Sequence, residues 1–339
     1  MKESQISLLR SPSHLYVERE ARGYPLCELL LGRFKGSEIV EVDSYKEVFN
    51  RFKQNWRLQK LSPKLILGCK RGELMYRTGE FVPNFKFENA YYCSQVLNCL
   101  YDCSYCFLQG MYQSANMVVF VNDDDFHKAA DNLLERIKQL YLCISYDADL
   151  LALEGVLPLC KRWIEHCHRK PELHIEIRTK SANYSAISSC EPCERVVLAW
   201  TLSPSEICSK FERGAAPLAA RLNAIGRALA GGWQVRICFD PVIPEGSWQE
   251  GYSELMNELF ALPHSERIKD ISIGGFRMNA EHFKRLSEKS GSSPVVTKEY
   301  LAANGKIALN EKSASKIKGF FQDILKSRFD SERVTYLFG

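Results

Sequence analysis

Short apolar runs alternate with amphipathic runs from about residue 89 onward. The apolar runs predict strands, and they span residues 90–96, 117–121, 141–145, 174–178, 196–201, 234–239 and 270–273. Between them, residues 123–140 carry apolar positions on one helical face behind an aspartate-rich start, and residues 216–229 form a second such run ended by two glycines. This order is typical of a parallel sheet with helical crossovers. The pattern therefore predicts an α/β fold, a partial (β/α)6 barrel of the TIM type.

The regions on either side of this alternation have a different pattern. Residues 16–34 favour a helix, and residues 39–42 and 65–68 favour strands, with proline and glycine between them. Near the other end, helices are predicted at residues 281–289 and 314–327, separated by a polar Ser/Gly break. We therefore expect a small N-terminal α/β cap over 1–85, a barrel over 86–278 and a C-terminal extension over 279–339.

Composition places the chain among ordinary globular proteins. It has 339 residues, of which 45% are hydrophobic and 25% charged, enough for one barrel-sized domain and a smaller appendage. No apolar run is long enough to span a membrane, and the start lacks the apolar core of a signal peptide. Thirteen cysteines without a disulfide-like framework are typical of a reducing compartment. We expect a cytoplasmic protein with no membrane partner.

The net charge of +4 is too small to indicate a nucleic-acid partner by itself, so its distribution matters more. One stretch is locally basic and also contains Phe52 and Trp56. Its charged members are Arg51, Lys53, Arg57, Lys60, Lys64, Lys70 and Arg71. Such a stretch suits phosphate contacts with some base stacking, and it suits equally a solvated helix face followed by a strand.

Three cysteines carry the strongest chemical signal. Cys99, Cys103 and Cys106 lie in the segment CLYDCSYCFLQ, with three and two residues between them. This spacing allows one short loop to bind three irons of a four-iron, four-sulfur cluster and to leave the fourth iron open. Zinc is the alternative, with Cys93 as a fourth ligand, but zinc sites usually pair two cysteine knuckles that are far apart in sequence. An iron–sulfur site therefore fits better.

A lone CxxC pair at Cys190 and Cys193 has no partner cysteine pair nearby, and we assign it no role in metal binding or catalysis.

Polar residues also follow several predicted strands. In barrels, the catalytic groups lie where strands end and loops begin. The residues in question are Cys143, Ser145, Arg178, Lys180, Thr201, Ser203 and Asp240.

The cysteine spacing and the aromatic residue before Cys106 resemble the radical SAM superfamily. Four further stretches narrow the resemblance to the spore photoproduct lyase family, over most of the chain. They are YVEREARGYPL from Tyr16, CFLQ from Cys106, KFERGAAPL from Lys210 and PEGSWQEGY from Pro244. The resemblance implies a radical SAM partial barrel, and a [4Fe-4S] cluster whose open iron binds S-adenosyl-L-methionine (AdoMet).

The resemblance also implies an activity. Members of this family repair 5-thyminyl-5,6-dihydrothymine, an ultraviolet lesion of DNA, through a 5'-deoxyadenosyl radical. By resemblance, Cys143 would return a hydrogen atom to the product, and a thiol suits this role because its S–H bond is weak. Lys180 would pair with the carboxylate of AdoMet, Thr201 would contact its ribose, and Ser145 would lie near lesion or cofactor. Tyr105 is expected in the catalytic site, packed against adenine.

Two departures from the family bear on the substrate. Where the family has a tyrosine straight after the third cysteine, this chain has Phe107, so a hydrogen-atom relay through that position is excluded. The family's lesion-binding Arg-Tyr pair corresponds to Ala308-Leu309 in this sequence. Arg328 and Tyr336 are candidate substitutes.

By this resemblance we expect a radical SAM lyase that acts on a pyrimidine lesion in DNA. Its expected partners are the damaged DNA and an electron donor such as flavodoxin or ferredoxin, and a monomer is expected by resemblance. One alternative keeps the chemistry but changes the substrate to another nucleic acid or a small molecule. The other is a cluster- or zinc-bearing protein that binds nucleic acid without catalysis.

Overall fold

The computed structural model describes residues 12–79, 83–290, 295 and 300–338. The strands are β1 His14–Glu18, β2 Glu38–Val42, β3 Leu65–Gly68, β4 Tyr76–Arg77, β5 Ala90–Tyr92, β6 Val96–Leu97, β7 Asp102–Cys103, β8 Met117–Phe120, β9 Leu140–Cys143, β10 Leu173–Thr179, β11 Val196–Thr201, β12 Glu212–Arg213, β13 Gln234–Val242, β14 Ile268–Gly275, β15 Arg277–Asn279, β16 Tyr300–Ala303, β17 Lys306–Leu309 and β18 Val334–Leu337.

The α-helices are α1 Pro25–Arg33, α2 Tyr45–Phe49, α3 Trp56–Leu61, α4 Leu108–Met111, α5 Asp123–Leu134, α6 Leu150–Leu153, α7 Leu159–Arg169, α8 Ser205–Phe211, α9 Leu218–Ala230, α10 Trp248–Phe260, α11 Ala280–Ser290 and α12 Glu311–Leu325. Short 3-10 helices lie at Arg19–Ala21, Tyr184–Ala186, Ser265–Arg267 and Ser331–Arg333. No described helix is long and apolar enough to cross a membrane.

The largest sheet has the order β18-β14-β13-β11-β10-β9-β5-β4. Its strands from β5 to β18 are parallel, and β4 adds an antiparallel edge. The central strands are mostly buried, as expected where both faces of a parallel sheet are covered. All six residues of β11, for example, are buried. The predicted α/β partial barrel is confirmed.

A second sheet has the order β2-β1-β3-β8-β6. It includes β8, whose apolar run we predicted among the barrel strands, but β8 pairs in parallel with β3 instead. An apolar run predicts a strand and contains nothing that selects its neighbour. The strand expected at residues 90–96 is likewise divided, with β5 in the barrel sheet and β6 in this one.

Two helix predictions were wrong in part. A helix was expected from residue 16, but His14–Glu18 forms β1, in which Leu15 and Val17 are fully buried at a two-residue spacing. The helix expected over 123–140 ends at Leu134, and Leu140 opens β9 as a buried strand residue. The apolar residues between positions 133 and 140 therefore belong partly to α5 and partly to β9, although their spacing also fits a single helix.

The C-terminal part contributes to the barrel as well as extending it. The predicted helices near residues 281–289 and 314–327 are confirmed as α11 and α12, while the polar break falls largely outside the described residues. A small antiparallel sheet has the order β15-β17-β16. The unpredicted strand β18 then pairs with β14 and extends the barrel sheet. It has only four half-buried residues and no clear apolar alternation.

Candidate active site

One cavity of about 520 Å³ opens where the barrel strands end. The ends of β9, β10, β11 and β13 supply polar side chains to its wall, as the barrel rule predicts. Eight residues proposed for the site from sequence line it, namely those proposed as cluster ligands, for AdoMet or as the hydrogen donor. These residues are Cys99, Cys103, Tyr105, Cys106, Cys143, Ser145, Lys180 and Thr201. The fold thus gathers side chains that are far apart in sequence, from the cysteine loop to the end of β11.

The cysteine loop is fixed by backbone pairing. Within it, β7 pairs antiparallel with β12, which places Cys103 opposite Glu212. The amide of Ser104 donates to the Phe211 carbonyl at 2.8 Å, and the amide of Cys106 donates to the Cys103 carbonyl at 3.0 Å. Gln109 Nε2 also donates to the Cys103 carbonyl, at 2.8 Å. The loop therefore has a defined shape.

The three loop cysteines are free thiols that face the same cavity. Burial raises the pKa of Cys99 to about 11 and raises those of Cys103 and Cys106 as well. Bound iron would replace their protons, since metal ligation takes the thiolate. No group of three or more His, Cys, Asp or Glu side chains in the described ranges is arranged to hold a single metal ion. The three thiols line one cavity.

Lys180 lies beside this loop, with its Nζ 5.5 Å from the centre of the Tyr105 ring. Burial opposes its charge, but nearby Cys103 and Glu212 outweigh burial and raise the pKa of Lys180. The ammonium group is therefore charged inside the cavity wall. A charged ammonium group in a partly enclosed cavity can bind a ligand carboxylate.

Glu212 organises the side of the site next to Lys180. Its carboxylate accepts hydrogen bonds from the Tyr105 hydroxyl, from Arg221 and from Ser203 Oγ, the last at 3.2 Å. Burial would raise the pKa of Glu212, but Arg221 and Lys180 lower it, so the carboxylate stays ionised. Glu212 was not predicted as a site residue from sequence, although it lies within the KFERGAAPL segment that carries the family resemblance.

Cys143 occupies the end of β9, with its Sγ 4.0 Å from Glu176 Oε1. Burial, reinforced by Glu176, raises the pKa of Cys143 to about 12, so the group is a thiol near neutral pH. Glu176 Oε2 accepts hydrogen bonds from the Tyr141 hydroxyl and from Arg236, and Glu176 Oε1 accepts one from Arg178 Nε at 3.0 Å. A glutamate inside the apolar run of β10 was a signal that sequence reasoning overlooked.

Backbone contacts hold the neighbouring strand ends in register. The Arg178 amide donates to Ser145 Oγ at 2.7 Å, which ties β10 to the residues after β9. The Thr201 carbonyl accepts from Arg221 Nη1 at 3.0 Å. Asp149, which we did not predict from sequence, accepts a hydrogen bond from the Lys180 amide at 2.7 Å and so orients Lys180. The same carboxylate caps the N-terminus of α6 by accepting from the Ala152 amide.

A further ion pair, half-buried, lines the cavity. Arg277 binds Asp240 through two contacts, Nη1 to Oδ1 at 2.7 Å and Nη2 to Oδ2 at 3.1 Å. A side chain at Gly274 would collide with both groups, which explains a glycine there. Arg328 and Tyr336 are not among the described residues that line the cavity. Arg328 instead donates to Asn257 Oδ1 at 2.6 Å.

Phe107 lines the cavity next to Tyr146, with ring centres 5.4 Å apart. The position after the third cysteine therefore faces the reaction volume and lacks a hydroxyl group. The Tyr146 ring in turn packs 4.3 Å from that of Tyr92. Cys190 and Cys193 are not among the cavity-lining residues described.

Comparison with known proteins places this geometry in context. The family model described as "Spore photoproduct lyase" matches residues 10–337. The spore photoproduct lyase of Bacillus subtilis (strain 168) is 24% identical over 296 residues, which is 82% of each protein. That of Geobacillus sp. (strain Y412MC61) is 24% identical over 277 residues, or 77% of each.

Two solved structures have the same fold. A spore photoproduct lyase complexed with dinucleoside spore photoproduct matches with a TM-score of 0.81 and 18% identity, over 96% of this chain and 98% of the other. A doubly substituted mutant of spore photoproduct lyase, with bound AdoMet and dinucleoside spore photoproduct, matches over the same shares with a TM-score of 0.78 and 18% identity. The likeness in fold therefore extends over nearly the whole chain.

Proposed function

Because this chain belongs to the spore photoproduct lyase family, we propose that it repairs 5-thyminyl-5,6-dihydrothymine in DNA by radical chemistry that depends on AdoMet. The observation that carries the proposal is that eight side chains chosen from the sequence, from the cysteine loop to the end of β11, line one cavity. A relative of the same fold binds both AdoMet and the dinucleoside lesion.

Cys99, Cys103 and Cys106 are proposed to hold a [4Fe-4S] cluster. Three free thiols on one structured loop, facing a cavity next to a cationic lysine, fit this group. When bound, the cluster and AdoMet supply a 5'-deoxyadenosyl radical. The protein contributes position and exclusion of water, since the cofactor carries the difficult chemistry.

The AdoMet site is proposed on the side of the cavity next to the cysteine loop. The ammonium group of Lys180 would pair with the carboxylate of the methionine part. The Tyr105 ring, fixed by Glu212, would pack against adenine. Thr201 would contact the ribose, and Ser145 would border the cofactor and the lesion.

Cys143 is proposed as the hydrogen donor. Its S–H bond breaks as a C–H bond forms on the product radical, and the unpaired electron passes to sulfur. The thiol suits this step because burial raises its pKa and keeps it protonated at neutral pH. Tyr105 is proposed to act beside it in the catalytic site through its packing against the cofactor.

The proposed substrate is duplex DNA that contains the lesion. A base inside a helix cannot reach a cavity of this kind, so the damaged step would be flipped out, helped by its weakened stacking. We propose a flavodoxin or ferredoxin as the electron donor, a monomeric enzyme and a cytoplasmic location.

Two observations favour a second candidate, a radical SAM enzyme of the same family that acts on a different nucleic acid or small molecule. Phe107 replaces a hydroxyl-bearing residue at a position that lines the cavity. Ala308, where the family carries a lesion-binding residue, pairs with Arg277 on β15. The lesion would therefore be held by other groups than in relatives, or another substrate would take its place.

An anaerobic assay tests both candidates. Reconstituted protein is reduced with dithionite and incubated with AdoMet and a dinucleoside lesion, and the products are separated by chromatography. Restored thymidines together with 5'-deoxyadenosine support repair. Deoxyadenosine without repair favours the second candidate, and neither product from protein with an intact cluster favours a binding protein without catalysis. Cys103→Ala should lose the cluster absorbance, whereas the control Cys190→Ala should keep it.

A further inference from the structure

A basic and apolar surface lies next to the cysteine loop and serves no role in the proposed reaction. Between positions 48 and 72 the sequence contains no Asp or Glu, and every charged residue there is Lys or Arg. Large apolar side chains are exposed in the same segment: Phe52 is 81% exposed, Leu58 64% and Leu61 69%. We call this the α3 surface, formed by Arg51, Phe52, Lys53, Arg57, Leu58 and Leu61.

Direct contacts join α3 to the backbone that carries the cysteines. Lys60 Nζ donates to the carbonyl of Cys99 at 2.8 Å and to that of Tyr101 at 2.7 Å. Trp56 Nε1 donates to Asp102 Oδ1 at 3.4 Å. Helix α3, which exposes Leu58 and Leu61, therefore contacts the backbone of the proposed cluster ligand Cys99 directly through the side chain of Lys60.

Helix α11 strengthens this connection from the other side. Lys289 Nζ lies 4.5 Å from the centre of the Trp56 ring and donates to the carbonyls of Gln109 and Tyr112, both at 2.6 Å. Arg57 in turn donates to the Lys289 carbonyl at 2.9 Å. The α3 surface is thus joined by direct contacts both to α11 and to the cysteine loop.

The α3 surface approaches the loop from outside the cavity. Among the described residues that line the cavity, none comes from positions 51–61. A base that is flipped into the cavity therefore makes no contact with this surface. A partner bound to the α3 surface could stay in place while AdoMet and the flipped base occupy the cavity.

We propose that the α3 surface is the docking site of an acidic one-electron carrier protein of the flavodoxin or ferredoxin class. This inference rests on the proposed function, since the carrier delivers one electron to the cluster held by Cys99, Cys103 and Cys106. The carrier is oxidised by one electron, the cluster is reduced by one, and no proton transfer is required. Docking here brings the carrier's redox centre to the loop without entry into the cavity.

The chemistry of the surface matches such a partner. Weak electron-transfer encounters use small interfaces, below about 1,200 Å² in total, and long-range attraction between opposite charges accelerates them. Exposed Phe52, Leu58 and Leu61 would form the apolar centre, and Arg51, Lys53 and Arg57 the charged rim. A DNA backbone would also meet the cations, and Phe52 could stack on a base, but aliphatic Leu58 and Leu61, exposed beside it, offer DNA no further stacking partner.

Binding measured without turnover is the first test. We would titrate a purified bacterial flavodoxin into the protein anaerobically, with and without its cluster, at low and at high salt. The variants are Arg51→Glu/Lys53→Glu and Phe52→Ser. The control is Arg136→Glu/Lys138→Glu, which makes the same change in charge near the start of β9, at the opposite end of the barrel. Circular dichroism and iron content verify that each variant folds and carries its cluster.

We expect both variants at the α3 surface to weaken flavodoxin binding about tenfold or more at low salt, and the control to bind as the wild type does. Deoxyadenosine formation driven by reduced flavodoxin should fall in parallel. The rate driven by dithionite, which needs no docking surface, should stay within about twofold. Higher salt should weaken the wild type more than the charge-reversal variant.

Unchanged flavodoxin binding in both variants would overturn the inference. So would weaker binding of lesion-containing duplex DNA with undiminished flavodoxin binding, which would assign the surface to DNA. Failure of the proposed function has a different signature. Wild-type protein would then form no cluster, or would release no deoxyadenosine even with dithionite.

Discussion

Replacing Glu176 with glutamine should destabilise the protein markedly, because this carboxylate is the centre of a buried charge network. Glu176 is 2% exposed and accepts hydrogen bonds from Tyr141, Arg178 and Arg236. Glutamine keeps the shape, but its NH2 group must face one of these donors. Arg236 then keeps Asp270 as its charged partner and loses the other.

The expected loss in the free energy of unfolding follows from the pKa of Glu176. Burial alone would raise the pKa of Glu176, but Arg178 and Arg236 outweigh burial and lower it from 4.5 to about 2. At about 1.4 kcal/mol per pKa unit, this difference is worth about 3 kcal/mol at neutral pH. Removal of one partner from a buried pair costs a similar amount, about 3–5 kcal/mol. We therefore expect Glu176→Gln to lower the free energy of unfolding by about 3 kcal/mol.

Urea denaturation of cluster-free protein, followed by circular dichroism, measures this loss. Glu172→Gln is the matched control, since Glu172 is exposed and lies directly before β10. The sign of the pH dependence is fixed by the lowered pKa. The stabilisation is complete above pH 4.5 and disappears as pH falls toward about 2, so the two proteins should converge in acid. Equal unfolding free energies for both variants at pH 7 would refute the reasoning.

Three further predictions concern other parts of the molecule. Cys143→Ala should leave AdoMet cleavage intact but divert the product, because the donor thiol is gone; an unchanged product distribution in chromatography would remove Cys143 from this role. Gly110→Ala should lower the free energy of unfolding by about 1–3 kcal/mol, since the new methyl group would collide with the His282 carbonyl oxygen. In the control Gly155→Ala the new methyl group meets open space, and equal unfolding free energies of the two variants in urea would contradict the predicted collision. Burial and the neighbouring His166 lower the pKa of His127 from 6.5 to about 4, so its contribution to stability is complete above pH 6.5 and is lost as pH falls from there to about 4. His127→Phe should flatten this dependence in denaturation curves at about pH 7 and about pH 5, on either side of the unfolded-state pKa, and an unaltered slope would show that other groups control it.

Residues adjacent in sequence were predictable, whereas contacts between distant segments were not. The cysteine loop and the strand ends were visible because spacing and position alone define them, and they line one cavity. Sequence did not show that Glu212 would lie opposite Cys103, because that pairing joins segments that are far apart along the chain. The same limit explains β8, whose apolar run predicts a strand but leaves its neighbour undetermined.

Charged residues inside apolar runs were the signal that we underused. Glu176 and Arg236 lie in β10 and β13 and are nearly inaccessible to solvent. A buried charge needs a partner, so two such residues on strands of one sheet indicate a buried pair. The helix predicted from residue 16 and the C-terminal end of α5 were wrong because the helical period was extended across residues that alternate in burial or begin a strand.

The central claim is that this cavity restores thymines and that Cys143 returns the hydrogen atom. The most direct test is repair of the dinucleoside lesion by reduced protein with AdoMet in D2O, followed by mass spectrometry of the product. Because a thiol hydrogen exchanges with solvent, we predict restored thymidines that carry one solvent-derived deuterium. Deoxyadenosine release without any restored thymidine would contradict the repair activity, and restored thymidine without deuterium would contradict the role of Cys143.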